Sequence, residues 1–475
     1  MVGPTSLVAV PIMTTITKNV LIIGGGFAGL SAATSLAERG FHVTVLEGRQ
    51  VLGGRAYSFA DPKMSDAVDN GQHLFMGCYR ETLAFLERIG TRDLLTFQPN
   101  LSVDFYGDGG RHARLSCWPL PSPWHLLSGL LRLSTLSWKD RWNLRYLRKA
   151  LKDGVRNPQG LDDVTVDEWL IRARQSERAR RHLWDLLAIA ALNEGPSIAS
   201  AAPFVAVLSQ AFFDRRKASR LGLSSVGLSD LYATSSKRFI EAHGGHVKVQ
   251  SPVAQLVCSN RGVTGVLLRD GRRFQADWVI AAVSAGAFSK LIPEKIKKRE
   301  PVFQRIENLH FSPIISIHLW FDRPISRSLF AGLLDTHIQW FFNKARILRK
   351  TTSGEGYISL VISGAHCFEE WPERKLLTLA LEELRRLFPE AREAVLMRSL
   401  VIQERQATLS PTVGSERLRP EFQSPLPHFL IAGDWTRTGL PATIESACLS
   451  GHRCADLVAA QGISNTPEQR EIVFV

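Results

Sequence analysis

Gly24, Gly26 and Gly29 stand in the spacing G-x-G-x-x-G, and the carboxylate of Glu47 follows about twenty residues later. Glycine at these places permits a tight turn, a close approach of backbone to a pyrophosphate, and a helix lying close on a strand. Ala28 falls inside the fingerprint, where a helix start with unpaired N–H groups and a favourable dipole meets an anion. Glu47 is placed to accept hydrogen bonds from a ribose diol. The chemistry indicated is dinucleotide binding.

The elements that must hold these residues are legible around them. Residues 20–23, Val-Leu-Ile-Ile, form an apolar run short enough for a buried parallel strand, residues 30–33 continue as a helix, and residues 43–46 form a second strand ending at Glu47. A glycine fingerprint alone is a weak signal; strand, helix and acidic residue in register make it specific. At the far end of the chain, residues 429–432 read as a strand that ends in Gly433-Asp434.

Leu52-Gly53-Gly54-Arg55 then places a glycine turn and a cation just after the ribose-binding strand. With this element and with residues 429–435 and 441–447, the chain resembles the FAD-dependent amine oxidase and carotenoid desaturase superfamily. The resemblance implies FAD as cofactor and an α/β fold, a Rossmann-like, glutathione-reductase-like FAD-binding domain with an inserted α+β substrate domain. It implies that Gly54 and Arg55 flank the cofactor and that Asp434 holds its ribityl and phosphate portion. A helix opening near Ala442 and Thr443 would direct its positive end at the flavin ring carbonyl, and the backbone of Val253 would contact adenine. Residues 69–82 read as a polar turn running into a glycine-interrupted strand, and resemble a block beside the flavin ring in squalene and phytoene desaturase relatives. Gly71 and Gln72 are thereby flavin-proximal, and His73 is the candidate proton donor, since an imidazole titrates near neutrality.

Composition narrows the partners. The 475 residues are 45% hydrophobic and 22% charged, as in a globular protein, with a formal charge of +13. That charge points to an anionic surface, either nucleic acid or membrane. The chain has no nucleic-acid-binding motif, and its basic residues are interleaved with Trp and Leu. Residues 119–149 combine a proline start, a Leu/Trp face and a basic face, the composition of a helix lying in a membrane interface; the alternative is an ordinary amphipathic helix over the substrate domain. No apolar run is long enough to span a bilayer. Six cysteines without C-x-x-C spacing indicate a reducing compartment and no metal site. Residues 1–17 lack the features of a signal peptide, and Met13 is an alternative start. The expected location is cytoplasmic, peripheral to the inner face of the cytoplasmic membrane.

The expected organisation is a discontinuous FAD-binding domain of residues 18–75, 226–290 and 425–460. Residues 76–225 and 291–424 form a substrate and membrane-docking domain, and 1–17 and 461–475 flexible termini. Within the narrower superfamily, residues 69–82, 190–200 and 438–445 are similar to the bacterial hydroxysqualene dehydroxylases of hopanoid biosynthesis, although Asn193-Glu194-Gly195-Pro196 departs from them. That resemblance implies reductive removal of an allylic hydroxyl from a long apolar isoprenoid to give squalene, with an electron donor still to be named. The competing readings are a carotenoid or phytoene desaturase, a flavin amine oxidase, and a flavin-less binder of prenylated proteins. The intact Gly24, Gly26, Gly29, Glu47 and Asp434 argue against the last.

Overall fold

The computed structural model describes residues 18–158, 160–348 and 356–463; the expectations for residues 1–17 and 464–475 lie outside these. The apolar runs become a five-stranded sheet in the order His246–Lys248, His42–Leu46, Asn19–Ile23, Trp278–Ala281 and Phe429–Ile431, parallel throughout. Its central strands are buried on both faces, which is why they read as continuous hydrophobic stretches rather than as alternation.

One face is covered by helices Phe27–Glu38 and Ile444–Ile463. They cross at Gly451, where a Cβ would meet the Ala28 carbonyl oxygen and Ser31 Oγ, each at 2.3 Å. The other face carries the antiparallel strands Val253–Ser259, Gly262–Leu268 and Arg273–Gln275 with helix Ala285–Leu291. Helix Ile444–Ile463 continues beyond residue 460, so residues 461–463, expected to be a flexible terminus, are helical.

A second, seven-stranded sheet runs in the order Leu396–Leu409, Phe311–Phe321, Tyr357–Ser363, Trp340–Asn343, Phe330–Leu333, Ser102–Gly107, Arg111–Ser116. Alternation along these strands separates two packed faces. Ile315, Ile317, Phe341 and Leu360 pack under helix Glu373–Leu387. Trp340, Phe342 and Val361 turn the other way, toward a helical layer that includes Trp124–Arg132, Trp138–Arg156, Asp185–Leu192 and Ala201–Leu208.

Two local expectations are corrected. Residues 119–149 form two helices rather than one, because the first ends at Arg132 and Ser137 starts the next. Ser137 Oγ accepts from Asp140 N at 3.2 Å while the Asp140 carboxylate accepts from Ser137 N at 2.8 Å, a reciprocal cap that sets a new helix start. After Asp69, the last residue of strand Ala67–Asp69, residues 70–82 contain only a two-residue strand, Phe75–Met76, and then enter helix Arg80–Arg88.

The stretch Ala190-Ala191-Leu192-Asn193 has a structural role. Helix Asp185–Leu192 ends at Asn193, whose φ is +54°, a left-handed position that asparagine tolerates. Its amide then donates to the Ser312 carbonyl at 3.3 Å and Thr408 Oγ1 at 3.0 Å and accepts from Gly364 N at 3.0 Å, fixing the helical layer to the sheet. Glu194 is buried beside it, bonded to Ser410 Oγ at 2.6 Å and His366 Nε2 at 3.0 Å.

Candidate active site

At the end of strand Asn19–Ile23 the chain turns through Gly24, with φ +108°. A Cβ on Gly29 would lie 2.0 Å from the Gly24 carbonyl oxygen, so helix and turn approach as only glycine allows. Gly26 faces open space, its nearest neighbour being Gly54 Cα at 3.7 Å from a notional Cβ. Helix Phe27–Glu38 carries no side-chain cap and no acidic residue in its first turn, so its N-terminal donors, Ala28 included, are left for an outside anion.

Glu47 is buried, its carboxylate accepting from Gly25 N and Arg49 N, each at 2.8 Å. These bonds point the carboxylate at the fingerprint. The Val253 strand begins beside it, held by a 2.8 Å bond from Ser251 N to the Glu47 carbonyl. Gly53 and Gly54 have φ of +123° and +57°, and Gly53 N donates to Gly25 O at 2.9 Å, closing the turn that carries Arg55 over the fingerprint.

The two distant motifs meet at that arginine. Arg55 Nη2 pairs with the Asp434 carboxylate, and Arg55 Nη1 donates to the Ala407 carbonyl at 2.9 Å. Gly433 N donates to Ser450 Oγ at 2.8 Å. Beneath this loop lies Arg419, fully buried, donating to the carbonyls of Asp434 at 2.9 Å, Thr436 at 2.5 Å and Leu440 at 2.7 Å and to Glu416 at 2.7 Å. Sequence reasoning missed Arg419, because nothing distinguishes it from the surface arginines around it. The helix after Ala442 opens at Ile444, and Thr443 caps it, Oγ1 accepting from Ser446 N at 3.2 Å.

Gly71, Gln72 and His73 lie in an irregular segment after strand Ala67–Asp69. Lys344, also missed from sequence, is buried here with Nζ 2.7 Å from Asp69 Oδ2 and 2.9 Å from Gln72 Oε1. His73 Nδ1 donates to the Gly71 carbonyl at 2.8 Å. Burial holds its pKa below the ordinary value, against the pull of Asp69. The imidazole is therefore neutral at pH 7 with Nε2 free to accept, and a proton-donating role runs against its surroundings. The segment's far end is tied to the second motif, Glu445 accepting from Glu81 N at 3.0 Å, Thr82 N at 2.9 Å and Thr82 Oγ1 at 2.8 Å.

An apolar channel of about 460 Å³ ends against this constellation. It is lined by Leu74, Leu186, Phe204, Trp340, Leu440, Pro441 and Thr443, and by Trp124 and Trp142, whose rings are more than half exposed and mark its opening. Trp124 and Trp142 at the opening are 57% and 66% exposed, and Trp118 and Trp138, outside the lining, are 54% and 80% exposed, Trp138 one helical turn before Trp142. Arg132, Arg141 and Arg145 stack on Trp118, Trp138 and Trp142 at 5.3, 4.7 and 4.2 Å. Among the described residues no helix is long and apolar enough to cross a membrane, and no group of side chains is arranged to hold a metal ion.

This geometry has relatives. The family described as flavin containing amine oxidoreductase matches residues 27–459. The 15-cis-phytoene desaturase of Solanum lycopersicum is 26% identical over 466 residues, covering 92% of this chain and 77% of the relative. That of Synechococcus elongatus is 24% identical over 459 residues, covering 93% and 96%. Among solved structures, an oxidoreductase from Methanosarcina mazei superposes with a TM-score of 0.71 at 16% identity, covering 92% of this chain and all of that one. Putrescine oxidase bound to putrescine superposes with a TM-score of 0.69 at 17% identity, covering 94% and 99%. The uncapped helix start, the glycine cradle and the inward-held Glu47 fit a flavin dinucleotide.

Proposed function

Because the chain belongs to the flavin-containing amine oxidoreductase family and is an FAD-dependent oxidoreductase, we propose that its substrate is a long apolar isoprenoid drawn from a membrane surface, and its reaction the reductive removal of an allylic hydroxyl. The carrying observation is the apolar channel that joins the exposed tryptophans to the Leu440–Thr443 loop. A cavity of this size is in the range that encloses a small molecule, and its hydrocarbon lining suits a substrate with almost no polar handle. The motifs at 69–82, 190–200 and 438–445 support the dehydroxylase reading.

When bound and reduced, FAD supplies a hydride and a proton, which together convert an alcohol to a hydrocarbon and water. The protein's own residues bind, orient and exclude water. Glu47 and the uncapped helix start hold ribose and phosphates, and Arg419 fixes the loop carrying Asp434 and Thr443. Lys344 neutralises Asp69 and orients Gln72, while His73 offers Nε2 as an acceptor to a substrate hydroxyl. The exposed Trp and Arg residues at the mouth dock on anionic lipid, so that the substrate passes from bilayer to channel without crossing water.

The test is anaerobic incubation of the reduced, FAD-loaded enzyme with hydroxysqualene. Formation of squalene with reoxidation of the flavin is expected; absence of squalene overturns the dehydroxylase reading. The second reading, phytoene desaturation, is favoured by the relatives matched over nearly the whole chain. Oxidised enzyme given phytoene and an electron acceptor separates the two, since only a desaturase forms new conjugated double bonds.

A further inference from the structure

The cations of helix Trp138–Arg156 divide into two sets. Lys139, Lys149, Lys152 and Arg156 are exposed and stand outside the channel lining, whereas Arg141, Arg145 and Arg148 line it, beside Trp142, Leu144 and Leu147. A spacing of four and then three residues sets these arginines on one face of the helix. Arg145 stacks on Trp142, which marks the opening, and Arg141 on the exposed Trp138 one turn earlier.

None of the three is neutralised within the described residues. Arg141 Nη2 donates to the Leu133 carbonyl at 3.0 Å and Arg145 Nη2 to Tyr146 Oη at 2.7 Å, both uncharged acceptors. That hydroxyl also accepts from a fourth cation, Arg174 Nη1, at 3.1 Å. Among the described residues Arg141 Nε is buried without a hydrogen-bond partner, and Arg148 has neither hydrogen bond nor ion pair. The two carboxylates of the helix do not help: Asp140 is bonded to Ser137 and Ser176, and Asp153 is exposed outside the lining.

Unbalanced guanidinium groups at the entrance to a hydrocarbon channel suit an amphiphile with an anionic head and an apolar tail. Guanidinium forks match phosphate oxygens in pairs, and neighbouring cations repel until an anion joins them. A single channel of about 460 Å³ takes a single chain, which favours an isoprenoid diphosphate over a two-chained phospholipid. We propose that Arg141, Arg145 and Arg148 form a phosphate site for isoprenoid diphosphates, whose tails fill the channel and keep the substrate out. The enzyme is thereby held off while such diphosphates are abundant. This rests on the apolar-chain reading above and goes beyond it, because it requires no particular reaction.

The test titrates the FAD-loaded enzyme at low salt in non-ionic detergent with farnesyl diphosphate, farnesol and inorganic pyrophosphate, following tryptophan fluorescence. The diphosphate is expected to bind about ten-fold more tightly than farnesol and about a hundred-fold more tightly than pyrophosphate, and to lose most of its advantage over farnesol at high salt. Arg148→Gln and Arg145→Gln should each weaken the diphosphate about three- to ten-fold and leave farnesol unchanged. Arg156→Gln, which removes an exposed cation outside the lining, should alter neither. Equal binding of diphosphate and alcohol by wild type overturns the proposal, as do equal losses in Arg148→Gln and Arg156→Gln, which would reveal diffuse surface charge. Displacement of farnesyl diphosphate by phosphatidylglycerol at comparable concentration would assign the cations to a lipid headgroup and overturn it too. Arg148 has no protein partner to disturb, so its variant answers if Arg145→Gln fails to fold. Hydroxysqualene given to the same samples separates the two ideas: diphosphate selectivity without squalene formation supports the site and removes the reaction, whereas squalene formation that farnesyl diphosphate does not inhibit removes the site alone.

Discussion

Arg55 and Asp434, 379 residues apart in the chain, form an ion pair that joins the Gly53-Gly54-Arg55 turn to the Gly433-Asp434 motif, the two halves of the proposed flavin site. Asp434 is almost wholly buried and Arg55 about a quarter exposed at its side chain, so the pair is shielded but not dry. Removing either partner leaves the other charge without its counterion in a poorly hydrated place.

Arg55→Ala and Asp434→Asn should therefore each cost about 1–3 kcal/mol, below the range for fully buried pairs because water still reaches Arg55. The double variant should cost less than the sum of the singles. Chemical denaturation of the FAD-free protein, with FAD affinity measured alongside, checks both points; additive effects would show that the pair is not coupled.

Glu47→Ala removes the acceptor for the Gly25 and Arg49 amides as well as the expected ribose acceptor. FAD affinity should fall by roughly 1–3 kcal/mol. The FAD-free protein should lose stability too, because two amides near the fingerprint lose a charged partner. Equilibrium dialysis with FAD reads the first effect and a thermal melt without it the second; unaltered FAD retention contradicts the assignment.

Arg419→Met keeps the apolar stem but withdraws the guanidinium donors from the Asp434, Thr436 and Leu440 carbonyls, leaving Asp434 O and Leu440 O only the weaker hydroxyl donors Ser446 Oγ and Thr438 Oγ1. Losing these charged hydrogen bonds in the interior costs on the order of 3 kcal/mol in total. The predicted phenotype is loss of FAD on purification, with Arg419→Lys recovering part of it. Full FAD content in the Met variant would place the loop's rigidity elsewhere.

His318 is buried beside Lys344 and hydrogen-bonded to Tyr357 Oη at 3.0 Å. Burial, reinforced by the Lys344 charge, pulls its pKa down to about 3. A depressed histidine pKa means the unfolded chain binds the extra proton first, so this stability is fully present above pH 6.5 and is lost as pH falls from 6.5 toward 3. His73, shifted in the same direction, adds to that slope. The unfolding free energy from urea titrations should fall between pH 7 and pH 5, by up to about 1.4 kcal/mol per pH unit for His318 alone. His318→Gln should flatten the limb; an unchanged slope in that variant refutes the assignment.

Trp124→Ser with Trp138→Ser removes two exposed rings, one lining the channel and one a helical turn from Trp142. Because both side chains are mostly in solvent, folding and FAD content should be unchanged. Wild type should sediment with anionic vesicles at low salt and release partly at high salt, since charge attraction is screened while insertion of rings is not. The double variant should sediment poorly at either salt. Equal partitioning of the two proteins would return these helices to a purely structural role.

The sequence alone determined the turn, helix start and strand ends of the proposed flavin half-sites, because their requirements are local. A left-handed turn at Gly24, a helix start without a competing acid and a carboxylate at the end of the next strand are each written in a few adjacent residues. The same holds for the parallel strands, whose burial on both faces leaves unbroken apolar runs. Periodicity was less informative at 119–149, where leucines continue through a break that a serine cap decides. Only the tertiary structure could show that Arg55 meets Asp434, that Arg419 sits beneath the flavin loop, and that Lys344 neutralises Asp69, since a lone arginine or lysine reads the same exposed or buried. What a buried polar group must pair with is set by the neighbours that folding brings to it, and those neighbours come from chain segments whose separate patterns carry no mark of one another.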